Sequence, residues 1–391
     1  MIKSTAVNAA KIFGLALLAT VLAARASRAQ SAATVTIQGG QPGAAVSSNL
    51  FGIFFEEINY AGDGGLYAEM VPDRTFYNSN SPVNWSLVTQ GSAAGGISVD
   101  STQPLNTNIV NSLKLTLQSG SGSIGAANQG YWGMSFQAGS AYNLNFYAKA
   151  ASGFTGPITA WLESDSGAQV YAQASFSGLT TNWQNLTASL VASATDTNAQ
   201  LVLSIASPGT VWVDVVSLTP AATFNNRTNG LRADLGGMLA ALHPSFMRYP
   251  GGNFIEANNL TNSVRWKKTI GPISQRAGHN NDSWGYWSTD GWGLDEYLQF
   301  CQDLGMTPLY GINCGLALGW NGATNNTVPL NQLGPWVQDA LDLIQYANGA
   351  TNTIWGAVRA ANGHPAPYNL QYMEIGNENS GSYYNDRYGI F

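Results

Sequence analysis

Residues 231–250 read LRADLGGMLAALHPSFMRYP. Leu231, Leu235, Met238, Leu239 and Leu242 recur at the spacing of one helical face, and PSFMRYP then reads as a short strand closed by proline. The same unit returns twice. Leu294, Tyr297, Leu298, Cys301 and Leu304 form a second stripe before the strand TPLYGIN (307–313). Leu333, Trp336, Val337, Ala340, Leu341 and Ile344 form a third, ended by Asn348-Gly349, before NLQYMEI (369–375). With the apolar run NLFGIFFEEI (49–58), the order is one strand followed by three helix–strand units. Such alternation predicts an α/β fold with a parallel sheet and helices outside it. Polar or glycine-rich loops after each strand suit the first four strands of a (β/α)8 TIM barrel, with its site at the C-terminal strand ends. A doubly wound open sheet is the second reading, but no glycine-rich phosphate loop follows the first strand.

Between residues 81 and 220 the texture differs. The runs SLKLTL, YWGMSFQ, YNLNFYAKA, ITAWLES, VYAQASF, WQNLTASLV, AQLVLSIA and TVWVDVVSL are short, alternating and separated by turn residues, with no convincing helix among them. Tyr142, Leu144, Phe146 and Ala148 alternate with their neighbours, as do Val211, Val213 and Val215. This is the pattern of an antiparallel β-sandwich, here inserted after the first strand of the α/β part. The expected domains are 30–80 (first barrel strand and loop), 81–220 (sandwich) and 221–391 (the N-terminal half of a barrel). Tyr131, Trp132, Trp161 and Trp212 of the sandwich read either as core or as a sugar-binding face, with core preferred.

The chain has 391 residues, of which 10% are charged, and 16 Lys plus Arg against 22 Asp plus Glu. That balance excludes a nucleic-acid-binding role. Neutral polar residues together with 12 Trp and 17 Tyr suit a protein that handles an uncharged, hydroxyl-rich ligand. At the start, Lys3 and Lys11 precede the apolar run Ile12 to Ala24, and Ser27-Arg28-Ala29 offers small residues for cleavage. The run is too short to span a bilayer but fits a signal peptide over residues 1–29, cleaved after Ala29, so export is expected without membrane attachment. Its removal takes away four basic residues, leaving a net charge of about −10. Cys301 and Cys314 read as buried free thiols rather than a bridge. The three His are scattered without ligand spacing, so no metal or other cofactor is expected.

Glycoside hydrolysis needs two carboxylic acids flanking the scissile bond. Glu378, in YMEIGNEN, follows a strand, and Gly376 and Asn377 let the backbone turn. From GNE alone it reads equally as a catalytic acid or a solvated loop residue. Glu374 is not its partner: four extended residues separate the two by about 13 Å, against about 5–5.5 Å for a retaining pair. It is expected buried or paired in the sheet. Of Glu56 and Glu57, at the end of the first strand, at most one faces the site. Arg248 can orient a carboxylate through a bidentate bond or support an ion pair. Asn253, after Gly251-Gly252, can bind a sugar hydroxyl or brace its loop. The segment 265–293 carries Trp266, Trp284, Tyr286, Trp287 and Trp292, each of which either lines a cleft or packs the loop.

These stretches together, LFGIFFEEINYAGDGGLYAEM, FMRYPGGNFIEANNL with RWKKTIGP, WGYWSTDGWGLDEYLQFCQDLG and YMEIGNEN, resemble the α-L-arabinofuranosidases of glycoside hydrolase family 51. The resemblance runs through the chain after the signal peptide. It implies that Glu378 is the acid/base, that Asn377 meets the sugar 2-hydroxyl, and that Glu56 and Asn253 hold the arabinose. Arg248 would organise the carboxylates. The sandwich resembles a jelly-roll carbohydrate-binding module. The family's nucleophile, a Glu on the seventh strand, has no counterpart, so the chain is expected to be the front part of such an enzyme and a poor catalyst alone. The implied substrates are arabinose-containing plant polysaccharides or oligosaccharides. A same-clan β-xylosidase or endoglucanase, and a non-catalytic sugar-binding protein, are the alternatives.

Overall fold

Four parallel strands carry the α/β part: β1 (Ile53–Phe54), β13 (Phe246–Tyr249), β16 (Thr307–Ile312) and β17 (Tyr372–Ile375). Between the first two, β2–β12 run as Trp85–Gly91, Ala94–Asp100, Ser112–Ser119, Gly122–Asn128, Met134–Phe136, Ala141–Ala150, Ile158–Ser164, Val170–Phe176, Gln184–Val191, Asp196–Ile205 and Gly209–Pro220, and β14 (His279–Asn281) pairs with β15 (Tyr286–Ser288) as a hairpin. This is a computed structural model that describes residues 34–40, 43–317 and 327–391, so the expected signal peptide lies outside the described residues. Ser48–Phe391 form one compact unit, and the described residues of Met1–Ser47 carry no helix or strand.

The parallel strands neighbour one another in chain order, β1-β13-β16-β17, with Ile53 opposite Met247, Arg248 opposite Leu309 and Leu309 opposite Tyr372. A doubly wound sheet reverses direction after its first strands. Among the described residues no reversal occurs, so the order does not favour that reading. Helices α1 (Ala233–Ala241), α2 (Asn253–Glu256), α3 (Leu294–Leu304), α4 (Gly334–Asn348), α5 (Ile354–Ala361) and α6 (Ser382–Tyr388) alternate with them. Strand β1 is shorter than the apolar run 49–58 suggests, although Phe55 continues the pairing by donating its N–H to the Arg248 carbonyl at 2.9 Å.

Helix α3 follows its apolar period. Leu294, Tyr297, Leu298 and Cys301 are buried, each large side chain contributing roughly 1.5–3 kcal/mol. Glu296 accepts a hydrogen bond from the Gly293 N–H at 2.9 Å, and Gly305 ends the helix in the left-handed conformation. The other two stripes are rotated from expectation. In α1, Met238 and Leu242 are 67% and 66% exposed. The helix is seated instead on Leu235, Leu239 and Gly236, where the Phe224 ring lies so close that a Cβ would meet it at 2.6 Å. In α4, Leu341 and Ile344 are exposed while Ala340, Leu343, Tyr346 and Ala347 are buried. Tyr346 can turn inward because Asp295 accepts its hydroxyl proton at 2.7 Å.

The insertion forms two antiparallel sheets, β10-β7-β12-β4-β3 and β2-β5-β11-β8-β9 with β6 on β11. All eight alternating runs contain strand, although in YWGMSFQ only Met134–Phe136 pairs and Tyr131–Gly133 belong to a turn. Leu113, Leu115, Phe146, Val211 and Val213 from one sheet meet Ile124, Ala160, Leu162, Leu201 and Leu203 from the other in a single core. Three further strands are Trp85–Gly91, Ala94–Asp100 and Gly122–Asn128; the last two are too rich in Gly, Ala and Ser to announce themselves. The preference for core aromatics fails: Trp132 is 67% exposed, and Tyr131, Trp161 and Trp212 are half-buried. Trp161 and Trp212 turn their indole N–H groups to Ser204 and Asp100 at 2.8 and 2.9 Å.

Candidate active site

At the C-terminal ends of the parallel strands lies an open cleft of about 430 Å³, lined by Glu56, Arg248, Asn253, Asn377 and Glu378 together with Phe54, Gly252, Trp284 and Glu374. All five residues singled out from sequence therefore meet in one place. They come from the ends of three strands, β1, β13 and β17, and their positions in the chain differ by more than three hundred residues.

Two glycines shape the approach. A Cβ on Gly251 would strike the Phe54 ring at 1.5 Å, and one on Gly252 would strike the Glu56 carboxylate at 1.9 Å. Gly252 also has φ near +62°, a conformation other residues resist. The chain after β13 can thus wrap against Glu56, whose Oε1 accepts from the Phe254 N–H at 3.1 Å and the Trp284 indole at 2.9 Å. Burial raises the Glu56 pKa, opposed by these bonds and by the Arg248 charge.

Arg248 forms the hub. Its Nη2 donates to Glu374 Oε1 at 2.7 Å and to Asn377 Oδ1 at 2.8 Å, its Nε completes the fork on Glu374, and its plane lies over Phe54 at 4.7 Å. Glu374 is paired as expected. Gly376 then turns the chain with φ near +79°, and a Cβ there would meet Asn379 at 2.1 Å. This turn presents Glu378, itself at φ near +52°, exposed at the cleft while Asn377 is buried.

The site also contains a carboxylate that no sequence signal marked. Glu256, on the one-turn helix α2, is fully buried beneath Asn377, accepting its backbone N–H at 3.1 Å. Burial pushes its pKa up to about 7, helped slightly by the Glu378 charge and opposed by bonds from Asn377 and Asn379. FIEAN lies inside one of the stretches that carry the resemblance, but nothing in its local spacing singles out Glu256, and the fold reveals its place.

Glu56 and Glu57 divide as alternation requires. Glu57 turns from the cleft and is buried, accepting from the Tyr286 hydroxyl at 2.8 Å and the Asp63 N–H at 3.1 Å. Burial first, and the Asp63 charge second, hold its pKa well above the ordinary range. Of the five loop aromatics, Trp284 lines the cleft, Trp266 and Trp292 pack the core, Tyr286 braces Glu57, and Trp287 stacks on Tyr77 at 4.3 Å. Cys301 and Cys314 are free and buried, with burial pushing both thiols up to about 12.

A sequence profile described as the "Alpha-L-arabinofuranosidase 1 domain" matches residues 238–391. Alpha-L-arabinofuranosidase 1 of Arabidopsis thaliana is 37% identical over 90% of this chain and 52% of its own length. The extracellular exo-alpha-L-arabinofuranosidase of Streptomyces chartreusis is 35% identical over 88% of this chain and 42% of its own. A solved arabinose-bound GH51 α-L-arabinofuranosidase superposes with a TM-score of 0.82 at 36% identity, over 90% of this chain and 57% of the other. Over the span it shares with them, the chain is similar to the family 51 α-L-arabinofuranosidases. It spans about half the length of the curated relatives it matches. The expected site and the observed cleft coincide on Glu56, Arg248, Asn253, Asn377 and Glu378; Trp284 also lines the cleft, and Glu256 lies buried beneath Asn377.

Proposed function

We propose that this chain supplies the front part of a retaining α-L-arabinofuranosidase that removes terminal arabinofuranosyl residues from arabinoxylan, arabinan or their oligosaccharides. The observation that carries the proposal is the convergence of Glu56, Arg248, Asn253, Asn377 and Glu378 on one cleft. The chain-ordered parallel sheet supports reading 221–391, with the strand in 30–80, as half of a (β/α)8 barrel. The two-sheet core supports reading 81–220 as an inserted sandwich of the carbohydrate-binding-module type. The name of the Streptomyces chartreusis relative supports export, with residues 1–29 as the signal. The names of the relatives do not favour a β-xylosidase or endoglucanase.

In this reading Glu56 and Asn253 hold the arabinose hydroxyls, and Asn377, with Oδ1 fixed by Arg248, turns its amide to the sugar. Glu378 donates a proton to the glycosidic oxygen as the C–O bond breaks. A second carboxylate forms the glycosyl-enzyme, and Glu378 then takes a proton from the water that releases arabinose. Glu374, held in the fork of Arg248, is not that second group; the resemblance implies a Glu on the seventh strand of the barrel. The test is hydrolysis of 4-nitrophenyl α-L-arabinofuranoside by the protein expressed from its gene with all that the reading frame encodes after Phe391. Glu378→Ala should lose polymer hydrolysis. It should keep glycosylation by an activated aryl arabinofuranoside, and azide, which needs no base, should restore turnover as arabinofuranosyl azide. No azide product together with intact polymer cleavage would refute the assignment.

A further inference from the structure

The turn Gly130-Tyr131-Trp132-Gly133 joins β5 to β6, with both glycines at positive φ (73° and 92°). It pushes two rings out of the sandwich toward the α/β part. Trp132 is 67% exposed, and its indole meets Tyr60 edge-on at 5.3 Å, while Tyr131 meets Tyr60 at 5.8 Å. Tyr60 in turn stacks on Tyr286 at 3.9 Å, and Tyr77 stacks on Trp287 at 4.3 Å. Gly64 permits this approach, since a Cβ there would meet the Tyr131 ring at 2.6 Å and Trp132 at 2.9 Å.

These rings line a groove of about 380 Å³, within the range of ligand sites. Trp132 also borders a second depression of about 710 Å³ beside β6 and β7, so space lies around more than one side of its ring. Among the described residues lining the groove there is no Lys or Arg, which leaves nothing to recognise an anion. Its polar residues include Asn84, Tyr60, Tyr77 and Asp73, which is 4% exposed and whose Oδ2 has no hydrogen-bond partner, whereas the Tyr286 hydroxyl is held by Glu57. Burial pushes the Asp73 carboxyl up to about 8. The groove and the catalytic cleft share walls: Ile58 and Trp284 face the cleft, whereas Tyr60 and Gly285 to Trp287 face the groove.

Flat rings beside hydrogen-bonding groups match a chain of sugar rings, which offers C–H faces for stacking and hydroxyls at its edges. We propose that this junction groove is a second glycan-binding site that holds the neutral backbone of a polysaccharide while a terminal arabinose occupies the cleft. The sandwich would then act as part of the substrate-binding surface rather than as a separate anchor. This rests on the glycosidase reading only for the purpose of the groove, not for the binding itself.

The test is titration calorimetry of the full protein with β-1,4-xylohexaose and, separately, α-1,5-arabinohexaose, alongside hydrolysis of 4-nitrophenyl α-L-arabinofuranoside. Trp132→Ala should weaken binding of at least one hexaose by roughly tenfold or more. Trp132→Tyr, which keeps a ring, should recover most of it. Trp132→Ala should also raise KM on the polymer while leaving kcat and the small aryl substrate unchanged. The hexaose that responds identifies the backbone. If the protein cleaves the aryl substrate but binds neither hexaose, or if Trp132→Ala binds both as tightly as the unaltered protein, the groove proposal is overturned and the cleft reading stands. Binding that depends on Trp132 without any hydrolysis would support the groove and count against the cleft.

Discussion

Replacing Arg248 by Ala tests how the cleft is held together. The guanidinium makes a two-pronged contact with Glu374, whose side chain is 29% exposed against 19% for Arg248 itself. Partial solvent screening limits that pair to roughly 1 kcal/mol. The same group is the donor to Asn377 Oδ1, and Asn377 is 2% exposed. Leaving that oxygen buried without a donor costs about 1–3 kcal/mol. Together the loss is about 2–4 kcal/mol, and if it falls on the ligand-binding arrangement, kcat/KM drops roughly 30- to 700-fold. Arg248→Lys retains the charge but cannot fork to both partners, so an intermediate loss is expected. The assay is kcat/KM on 4-nitrophenyl α-L-arabinofuranoside, with urea unfolding to separate site effects from global stability. A folded Arg248→Ala variant within threefold of the unaltered protein would refute the argument that this residue organises Asn377.

Glu256→Gln should change how stability depends on pH. Folding raises the Glu256 pKa from an ordinary 4.5 to about 7, so the unfolded chain gives up this proton first. The contribution is therefore complete below pH 4.5, declines as pH rises to about 7, and is level beyond. Relative to Glu256→Gln, the unaltered protein should lose up to about 3 kcal/mol across that window, read from urea midpoints at several pH values. Equal slopes for both proteins would contradict the buried neutral acid. Gly252→Ala places a methyl 1.9 Å from the Glu56 carboxylate at a backbone angle of +62°, so arabinose binding should weaken by at least tenfold with a loss of roughly 1–2 kcal/mol from the backbone alone. Calorimetry with L-arabinose checks it, and unchanged affinity would count against the tight fit. Tyr286→Phe removes the donor to buried Glu57 and should destabilise the fold by about 1–3 kcal/mol in urea titration, with no loss if Glu57 finds water instead.

Local periodicity in the sequence determined the change of architecture near residue 222, all eight recognisable sandwich strands and the three helix–strand units. These signals rest on side-chain spacing within ten or twenty residues, where an alternating or three-and-four pattern can bury one face in only one way. Glycine pairs and the GNE turn were legible for the same reason, since Gly251, Gly252 and Gly376 answer to backbone constraints a few residues away. Only the tertiary structure decided which apolar side chains are covered. Met238 and Leu242 belong to the right stripe yet stay exposed because Phe224, from another segment, docks on Gly236. It also decided that Glu56 enters the cleft while Glu57 braces Asp63 and Tyr286, and that Glu256 lies under Asn377. A buried carboxylate is defined by the donors around it, and these include Asn377, 121 residues from Glu256, and Tyr286, 229 residues from Glu57. Partners at such separations leave no periodic trace in the chain, so their meeting is a property of the folded sheet alone.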